Sequence, residues 1–206
     1  MTEPVFKKQP RQSRSRSVVE AVVSALEQLI ERTPDASDLS MRTVARRAGV
    51  GVGSVYDYFN GQDGLFGAFL QQLTRGNFDA LEQVVREGEA LPLGVALRRV
   101  LTASLTTYLE QPKKTRAAIT FIVRLGQVEA IVRERDRFAE LVAARIMKDR
   151  RELAPELVRA TVRLAFDAGM GVIMAELWRP VGDVERAVLD VVDGVLSKRL
   201  GIDLER

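Results

Sequence analysis

Apolar residues recur at intervals of three and four along most of the chain, which is the spacing of helices with one buried face. One such stripe covers Val18–Arg32, and another runs from Asp63 to about Glu87. No stretch alternates convincingly with a period of two, and prolines stand at or beside the ends of the later stripes. The pattern therefore predicts an all-α fold. Further helices are predicted at Leu93–Glu110, Lys113–Leu125, Val128–Glu152, Pro155–Arg179 and Asp183–Leu200.

Two short helices separated by a glycine turn are predicted between Ser40 and Gln62. Ser40 is a good N-cap for the first helix, because its side-chain oxygen can accept from a free backbone N–H. Gly49 stands where that helix must stop, since glycine tolerates the left-handed backbone of a C′ position. Helix, short turn and helix together form the helix-turn-helix pattern, and the preceding helix completes a three-helix unit. The apolar stripe of the second helix consists of Val52, Val55 and Phe59.

The sequence from Thr43 to Phe66 resembles the DNA-binding signature of the TetR (tetracycline-repressor-like) transcription regulators. This resemblance implies a homodimeric regulator, a repressor that binds a palindromic double-stranded DNA operator and is released by a small molecule. It also implies a DNA-binding domain over residues 18–62 and a helical ligand-binding and dimerisation domain over residues 63–206. The matching positions are Thr43, Val44, Ala45, Ala48, Gly49, Val50, Gly53, Ser54, Val55, Tyr56, Tyr58 and Phe59.

The outward side of the second motif helix is predicted to face DNA, because it carries polar and small side chains beside the buried stripe. Hydroxyl groups can donate to phosphate, and an apolar side chain can meet a thymine methyl. The resemblance implies that Ser40 caps its helix toward a phosphate and that Arg42 reaches a base. Gln62 stands where the family often has a phosphate-binding lysine, and it can still hydrogen-bond there. The resemblance places four residues at bases and two at the DNA backbone: Val52, Gly53, Tyr56 and Asp57, then Ser54 and Tyr58.

Positive charge for the DNA backbone has to come from outside the second motif helix, which contains no Lys or Arg and carries the acidic Asp57. Residues 1–17 form a basic arm whose one acidic residue is Glu3. That arm either follows DNA phosphates or a minor groove, or it is a solvated tail; the sequence leaves both interpretations open. The basic residues of the arm and of the first motif helix are Lys7, Lys8, Arg11, Arg14, Arg16, Arg42, Arg46 and Arg47.

The composition excludes several classes of function. The 206 residues contain 31 Lys and Arg against 28 Asp and Glu, with no cysteine and no histidine. Disulfides and Cys-His or Ser-His nucleophilic chemistry are therefore excluded, and a zinc site would need carboxylates alone. No apolar run approaches the roughly 20 residues of a membrane span. We expect a cytoplasmic protein with no metal, no cofactor and no enzymatic activity.

Aromatic residues and methionines along the later helices either form an ordinary core or line an apolar pocket. The resemblance implies such a pocket, and the scarcity of buried-looking charge indicates a small hydrophobic effector. The residues concerned are Phe66, Phe69, Leu105, Tyr108, Phe121, Phe138, Phe166, Met170, Met174 and Trp178.

The last two helices carry small residues and valines that allow a second helix to approach closely. Such faces can pack within the chain, but the resemblance implies a two-fold dimer through a four-helix bundle. A dimer would hold two recognition helices about one DNA turn apart, ~34–36 Å, so that they read a palindrome. The predicted interface residues are Ala165, Ala168, Gly169, Val172, Ala175, Val188, Val191 and Val195.

Two other classes of function stay open from the sequence: a carrier of hydrophobic small molecules with a degenerate DNA-binding motif, and a helical enzyme acting on a hydrophobic substrate. Asp57 and Gln62 keep the carrier open. Asp167 and Glu176 could supply acid–base chemistry, but their i, i+9 spacing points them to opposite faces of one helix. Salt-sensitive DNA binding would distinguish a regulator from a carrier, and turnover would identify an enzyme.

Overall fold

The computed structural model of the chain describes residues 7, 13–33, 36–179 and 182–205. This described part is helical and contains no strand, so the all-helical prediction is confirmed. None of its helices combines the length and the apolar composition that a membrane span requires. A short 3-10 turn at Ala36–Asp38 precedes the second helix. The helices are α1 Ser13–Ile30, α2 Met41–Ala48, α3 Val52–Tyr58, α4 Gly61–Glu87, α5 Leu93–Glu110, α6 Pro112–Arg124, α7 Val128–Asp149, α8 Pro155–Trp178 and α9 Val184–Leu200.

The helix ends lie close to the predicted ones, with α1 as the main exception. α1 begins at Ser13 rather than at Val18. The serines of this stretch support a helix, since Ser17 Oγ donates to the Ser13 carbonyl oxygen at 3.2 Å. The last residues of the predicted basic arm, 13–17, therefore belong to α1. Apart from Lys7, the rest of the arm lies outside the described part of the chain.

Two compact units make up the chain. The head unit comprises Met1–Arg75 and Gln111–Ile131, and the body unit comprises Gly76–Glu110 and Val132–Arg206. The head unit is therefore assembled from two separate stretches of sequence, of which the second contains α6. The boundary between the units falls inside α4. The functional division predicted after Gln62 stays a prediction.

A single apolar core holds the helices of the head unit together, and α6 contributes to it directly. The Phe121 ring on α6 is stacked on Phe66, with ring centroids 3.9 Å apart, and meets Phe69 edge-on at 6.0 Å. All three rings are fully buried, and aromatic pairs in these geometries add to the stabilisation that burial alone provides. The first three helices close this core with apolar side chains that include Val22, Leu26, Ile30, Val44, Ala45 and Val55.

Two ion pairs also join α6 to the other helices of the head unit. Lys114 Nζ lies 3.4 Å from Glu27 Oε2 on α1, and both side chains are largely buried. Arg124 Nη2 lies 2.8 Å from Asp63 Oδ1 in the first turn of α4, and the same guanidinium lies over the Phe66 ring. Ion pairs in partly buried positions are screened less by salt than fully exposed ones. Both ends of α6 are thus fixed to the head unit.

Three aromatic rings from three helices form a chain in the body unit. Phe138 on α7 lies between Phe78 on α4 and Phe166 on α8, with ring centroids 6.0 and 5.5 Å apart. These distances are within the 4.5–7 Å range of favourable aromatic pairs. The rings therefore contribute to the packing of these helices within the body unit.

Candidate nucleic-acid interface

The caps of α2 are those that the sequence predicts. The Thr43 backbone N–H donates to Ser40 Oγ at 3.2 Å, so Ser40 is the N-cap. Gly49 ends the helix in the left-handed region with φ of 70°. The Val50 N–H then donates to the Ala45 carbonyl oxygen at 3.1 Å, which is the outer bond of a Schellman ending. Local signals thus fix both ends of α2 and the sharp turn into α3.

The inner face of α3 differs in one residue from the predicted apolar stripe. Val55 and Phe59 are fully buried, but 40% of the Val52 side chain is exposed. Phe59 follows the last residue of α3 with an extended backbone, φ −105° and ψ 138°, so its side chain does not continue the helical period. Val52 lies at the first residue of the helix, which leaves it at the surface. Of the apolar stripe only Val55 and Phe59 are thus buried, and Val52 lies on the side that the resemblance turns toward DNA.

The outer face of α3 is open to solvent, and it includes apolar groups. Tyr56 is 51% exposed, and Gly53, Ser54 and Asp57 are exposed as well. A Cβ built on Gly53 would have no neighbour within 4 Å, so another molecule can approach the backbone there. Tyr58 is half-buried and packs against the head core. The described structure therefore presents one side of α3 as a surface that nothing within the head unit covers.

Free positive charge beside α3 comes from α2. Arg42 and Arg46 are exposed, and within the described part of the chain neither forms an ion pair or a hydrogen bond. Arg47 is different, because its Nη2 donates to Gln28 Oε1 on α1. Two of the three predicted arginines are thus available for an anionic partner, while Arg47 is held against α1.

Gln62 has a structural contact that the sequence does not reveal. Its Nε2 donates to the Leu39 carbonyl oxygen at 2.7 Å, in a half-buried position. This hydrogen bond ties the first turn of α4 to the residue that precedes the Ser40 cap. The amide nitrogen of Gln62 is therefore engaged within the head unit, and a role toward phosphate stays a prediction.

We expect Gln62→Glu to lower the free energy of unfolding by about 1–2 kcal/mol, because the new carboxylate cannot donate and leaves the Leu39 carbonyl unpaired. Gln71→Glu, an exposed change of the same kind on α4, is the matched control. Urea unfolding followed by circular dichroism measures both. Equal stability of the two variants would show that the hydrogen bond to Leu39 contributes nothing.

The residues predicted for an effector pocket are divided between the two units. Phe66, Phe69 and Phe121 fill the core of the head unit, where they contact one another. The others belong to the body unit, where the structure brings Phe138 and Phe166 into contact. The pocket stays a prediction, with its support in the body unit. There Leu105 is buried, Tyr108, Phe166, Met170 and Met174 are half-buried, and Trp178 is exposed.

Tyr108 is the one pocket candidate that carries a hydroxyl group, and the pKa of that group is shifted. Burial raises the pKa of its phenol above the ordinary value of 10.0, because the charged form would be desolvated. The group is therefore neutral at pH 7 and able to donate a hydrogen bond. Among the described residues it has no hydrogen-bond partner.

Part of the predicted dimer face is used within the chain. α8 packs along α9, and a Cβ built on Gly169 would lie 3.4 Å from Val188 Cγ1 and 3.4 Å from Val192 Cγ2. The absent side chain thus lets α9 approach α8. Ala165, Gly169 and Val188 are buried within the chain, which is the alternative that the sequence left open, and their part in a dimer interface stays a prediction. Of the other predicted residues, Ala168, Val172, Ala175 and Val195 are half-buried and Val191 is exposed.

A different line of residues on α8 is exposed, and the sequence interpretation missed it. Leu157, Leu164, Gly171 and Trp178 follow one another at intervals of seven residues, and all four are exposed. Residues seven apart lie on nearly the same face of a helix, with a drift of about 20° per interval. We call this line the α8 stripe. Its spacing is visible in the sequence, but apolar residues occur on several faces of α8, so the pattern alone does not select the outer one.

Comparison with known proteins finds a family match within the head unit. A family model described as "Bacterial regulatory proteins, tetR family" matches residues 22–69, which cover most of α1, all of α2 and α3 and the start of α4. A curated HTH-type transcriptional regulator of Staphylococcus aureus is 27% identical over 101 residues. The matched part is 49% of this chain and 51% of that protein, so the chain spans about half the length of this relative.

Solved structures show the same fold over most of the chain. A Mesorhizobium loti protein assigned to the TetR-family transcriptional regulators superposes with a TM-score of 0.71 at 19% identity, covering 91% of this chain and 98% of that one. SmeT, the repressor of the Stenotrophomonas maltophilia multidrug efflux pump SmeDEF, has a TM-score of 0.64 at 19% identity. That alignment covers 93% of this chain and 92% of SmeT.

The capped α2, the glycine turn and the uncovered outer face of α3 define a helix-turn-helix, the class of motif that places its second helix in the major groove of DNA. The family match falls on those same helices, and the fold of the whole chain agrees with it. The chain is thus similar to the TetR-family regulators over its helix-turn-helix and in its fold.

Proposed function

We propose that this protein is a dimeric repressor that reads a palindromic operator through α3 and is released from it by a small hydrophobic effector. The observation that carries this proposal is the exposure of Val52 and Tyr56 on the outer face of α3. Apolar groups of this size contribute to stability when they are buried, yet the head unit leaves them in water. Thymine methyl groups in a major groove would cover them.

The remaining contacts follow from the positions of the polar groups. Arg42 is free and lies two residues after the Ser40 cap, where a guanidinium can bind guanine O6 and N7 in a bidentate way. Ser40 and Thr43 share a hydrogen bond of 2.9 Å between their hydroxyl oxygens, which leaves one hydroxyl proton for a phosphate. We assign Gly53 and Asp57 to bases and Ser54 to the DNA backbone, since all three are exposed on the outer side of α3, and we assign the half-buried Tyr58 at the end of the helix to the backbone as well.

Selection from random or genomic duplex fragments, followed by sequencing of what the protein retains, tests this function. We expect an inverted repeat in the wild-type pool. With Arg42→Ala, we expect the discrimination at one base pair of each half-site to fall by about 1–3 kcal/mol. Arg98→Ala, an exposed arginine on α5, is the control and should retain the full consensus. Retention without any preferred sequence, or none at low salt, would overturn the regulator and favour a carrier.

The dimer is supported by the α8 stripe. Leu157, Leu164 and Trp178 are large apolar side chains that the chain leaves uncovered on one face of α8, and Val191 on α9 is exposed as well. A second copy placed about a two-fold axis would bury this surface against the same surface. We therefore place the interface at the α8 stripe, and the half-buried Ala168, Val172, Ala175 and Val195 at its border.

The effector proposal is supported by the side chains of the body unit. Phe166, Met170 and Met174 on α8 are half-buried, the Phe166 ring contacts Phe138, and methionines adapt to apolar ligands of varied shape. The similarity in fold to the repressor of a multidrug efflux pump agrees with a hydrophobic effector. Tyr108 offers the neutral hydroxyl that could orient such a molecule. A ligand releases the operator only if it prefers the released conformation.

A thermal-shift screen with hydrophobic compounds tests the effector. A compound at 100 times its Kd should stabilise the fold by about 2.7 kcal/mol, and the same compound should weaken operator binding in a titration. Stabilisation without any change in operator affinity would show a ligand that is not an effector. A broad panel with no stabilisation would count against the pocket.

We infer no catalytic role for the carboxylates of α8. Asp167 is exposed and its Oδ1 pairs with Arg135 Nη1 on α7, so its charge is compensated by a surface ion pair. Among the described residues no cluster of carboxylates could hold a metal ion. We propose that the protein binds DNA in the cytoplasm and needs no cofactor.

A further inference from the structure

Lys7, in the basic arm, is attached to the end of α3. Its backbone N–H donates to the Tyr58 carbonyl oxygen at 2.9 Å. Tyr58 is the last residue of α3, and the final carbonyl groups of a helix find no N–H donor within that helix. The contact therefore satisfies a group that α3 leaves open, and it fixes the position of Lys7 relative to the outer face of α3.

The Lys7 side chain itself is exposed and forms no ion pair within the described part of the chain. Asp57, one residue before Tyr58, is exposed too, and no ion pair joins the two side chains. The positive charge is therefore available to another molecule. From this placement we propose that Lys7 binds a phosphate of the DNA strand that borders the bases facing α3. This inference rests on the proposed function, and it adds a residue to the DNA interface.

The charge balance of α3 gives Lys7 its role. α3 contains no Lys or Arg, and Asp57 brings a negative charge to the side that faces a polyanion. In partly dehydrated surroundings like charges repel more strongly than in bulk water, because the effective dielectric constant is lower. A lysine held next to the same helix end offsets that repulsion. The free Arg42 and Arg46 on α2 supply charge from a different helix.

A phosphate contact has a signature that differs from base reading. Phosphate contacts position a protein on the duplex and carry no sequence information directly. Lys7 should therefore change the affinity for all sequences alike, together with the dependence of that affinity on salt. The preferred sequence itself should not change.

Fluorescence anisotropy titrations of the full chain on its selected operator, at several KCl concentrations, test this. For Lys7→Ala we expect the slope of log K against log [KCl] to fall in magnitude by about 0.9 for each protomer. Lys7→Arg should retain the slope, and Lys198→Ala, an exposed lysine in the last turn of α9, is the control. If the Lys7→Ala slope equalled that of Lys198→Ala while the wild-type protein still selected an operator, the phosphate contact of Lys7 would be overturned. The proposed regulator function would be unaffected.

Two further outcomes are informative. If Lys7→Ala changed the selected consensus, Lys7 would read bases, and the phosphate assignment would be overturned. Amide exchange measured by NMR tests the anchor separately: the Lys7 N–H should exchange more slowly than in an unstructured chain, and exchange at the unstructured rate would overturn it. Failure of the wild-type protein to select any operator would instead remove the proposed function on which this inference rests.

Discussion

Replacing Phe121 by alanine is expected to lower the free energy of unfolding of the head unit by about 3–5 kcal/mol, the usual cost of deleting a buried aromatic ring. The effect is large because the ring is fully buried, stacked on Phe66 at 3.9 Å and edge-on to Phe69 at 6.0 Å. Operator binding should be lost with it, although Phe121 lies in α6, outside the helix-turn-helix. Urea unfolding and anisotropy on the selected operator measure the two effects.

Val123→Ala is the control for this prediction. Val123 lies on the same helix and is 68% exposed, so its loss should change stability by no more than about 0.5 kcal/mol. If Phe121→Ala were as stable as Val123→Ala, α6 would not be part of the head core in solution.

Leu164→Glu is expected to leave the protein monomeric. Leu164 is 42% exposed and lies in the α8 stripe, where a two-fold interface would bring its carboxylate against that of the second copy. Two like charges without partners in a buried interface cost several kcal/mol. If two heads read the operator at once, as we propose, a monomer should bind it at least roughly 100-fold more weakly. Sedimentation gives the mass, and anisotropy gives the affinity.

Leu141→Glu makes the matching change on α7, where Leu141 is 39% exposed. It should remain dimeric and retain operator affinity. Trp178, the one tryptophan in the sequence, lies in the α8 stripe and should report assembly directly. Its emission should shift to shorter wavelength as the wild type is concentrated, and not for Leu164→Glu. A dimeric Leu164→Glu would place the interface elsewhere.

The features that the sequence predicted correctly are those with local causes. The Ser40 cap and the Gly49 ending depend on groups within four or five residues, and both are present in the structure. The helical period similarly reports a local arrangement. The predicted start of α1, Val18, is too late, because serines near Ser13 are typical of a solvated arm but can also continue a helix.

The features that could not be predicted depend on contacts between distant parts of the chain. Nothing around Phe121 indicates that its ring packs on Phe66 rather than on the body unit. The resemblance placed Gln62 beside a phosphate, and its hydrogen bond to the Leu39 carbonyl could not be predicted because a backbone carbonyl leaves no side-chain signal. On α8 the sequence shows small and apolar residues on more than one face. It does not show that Gly169 faces α9 while Leu164 remains uncovered.

The two-part construction of the head unit limits how this chain can be recombined with others of the same fold. A chimaera made by a single cut in α4 would take α1 to α3 from this chain but α6 from another protein. Phe66 and Phe69 would then meet a foreign surface in place of Phe121, and Glu27 would lose Lys114. A transplant of operator specificity therefore has to carry Gln111–Ile131 along, as a second graft within the recipient chain.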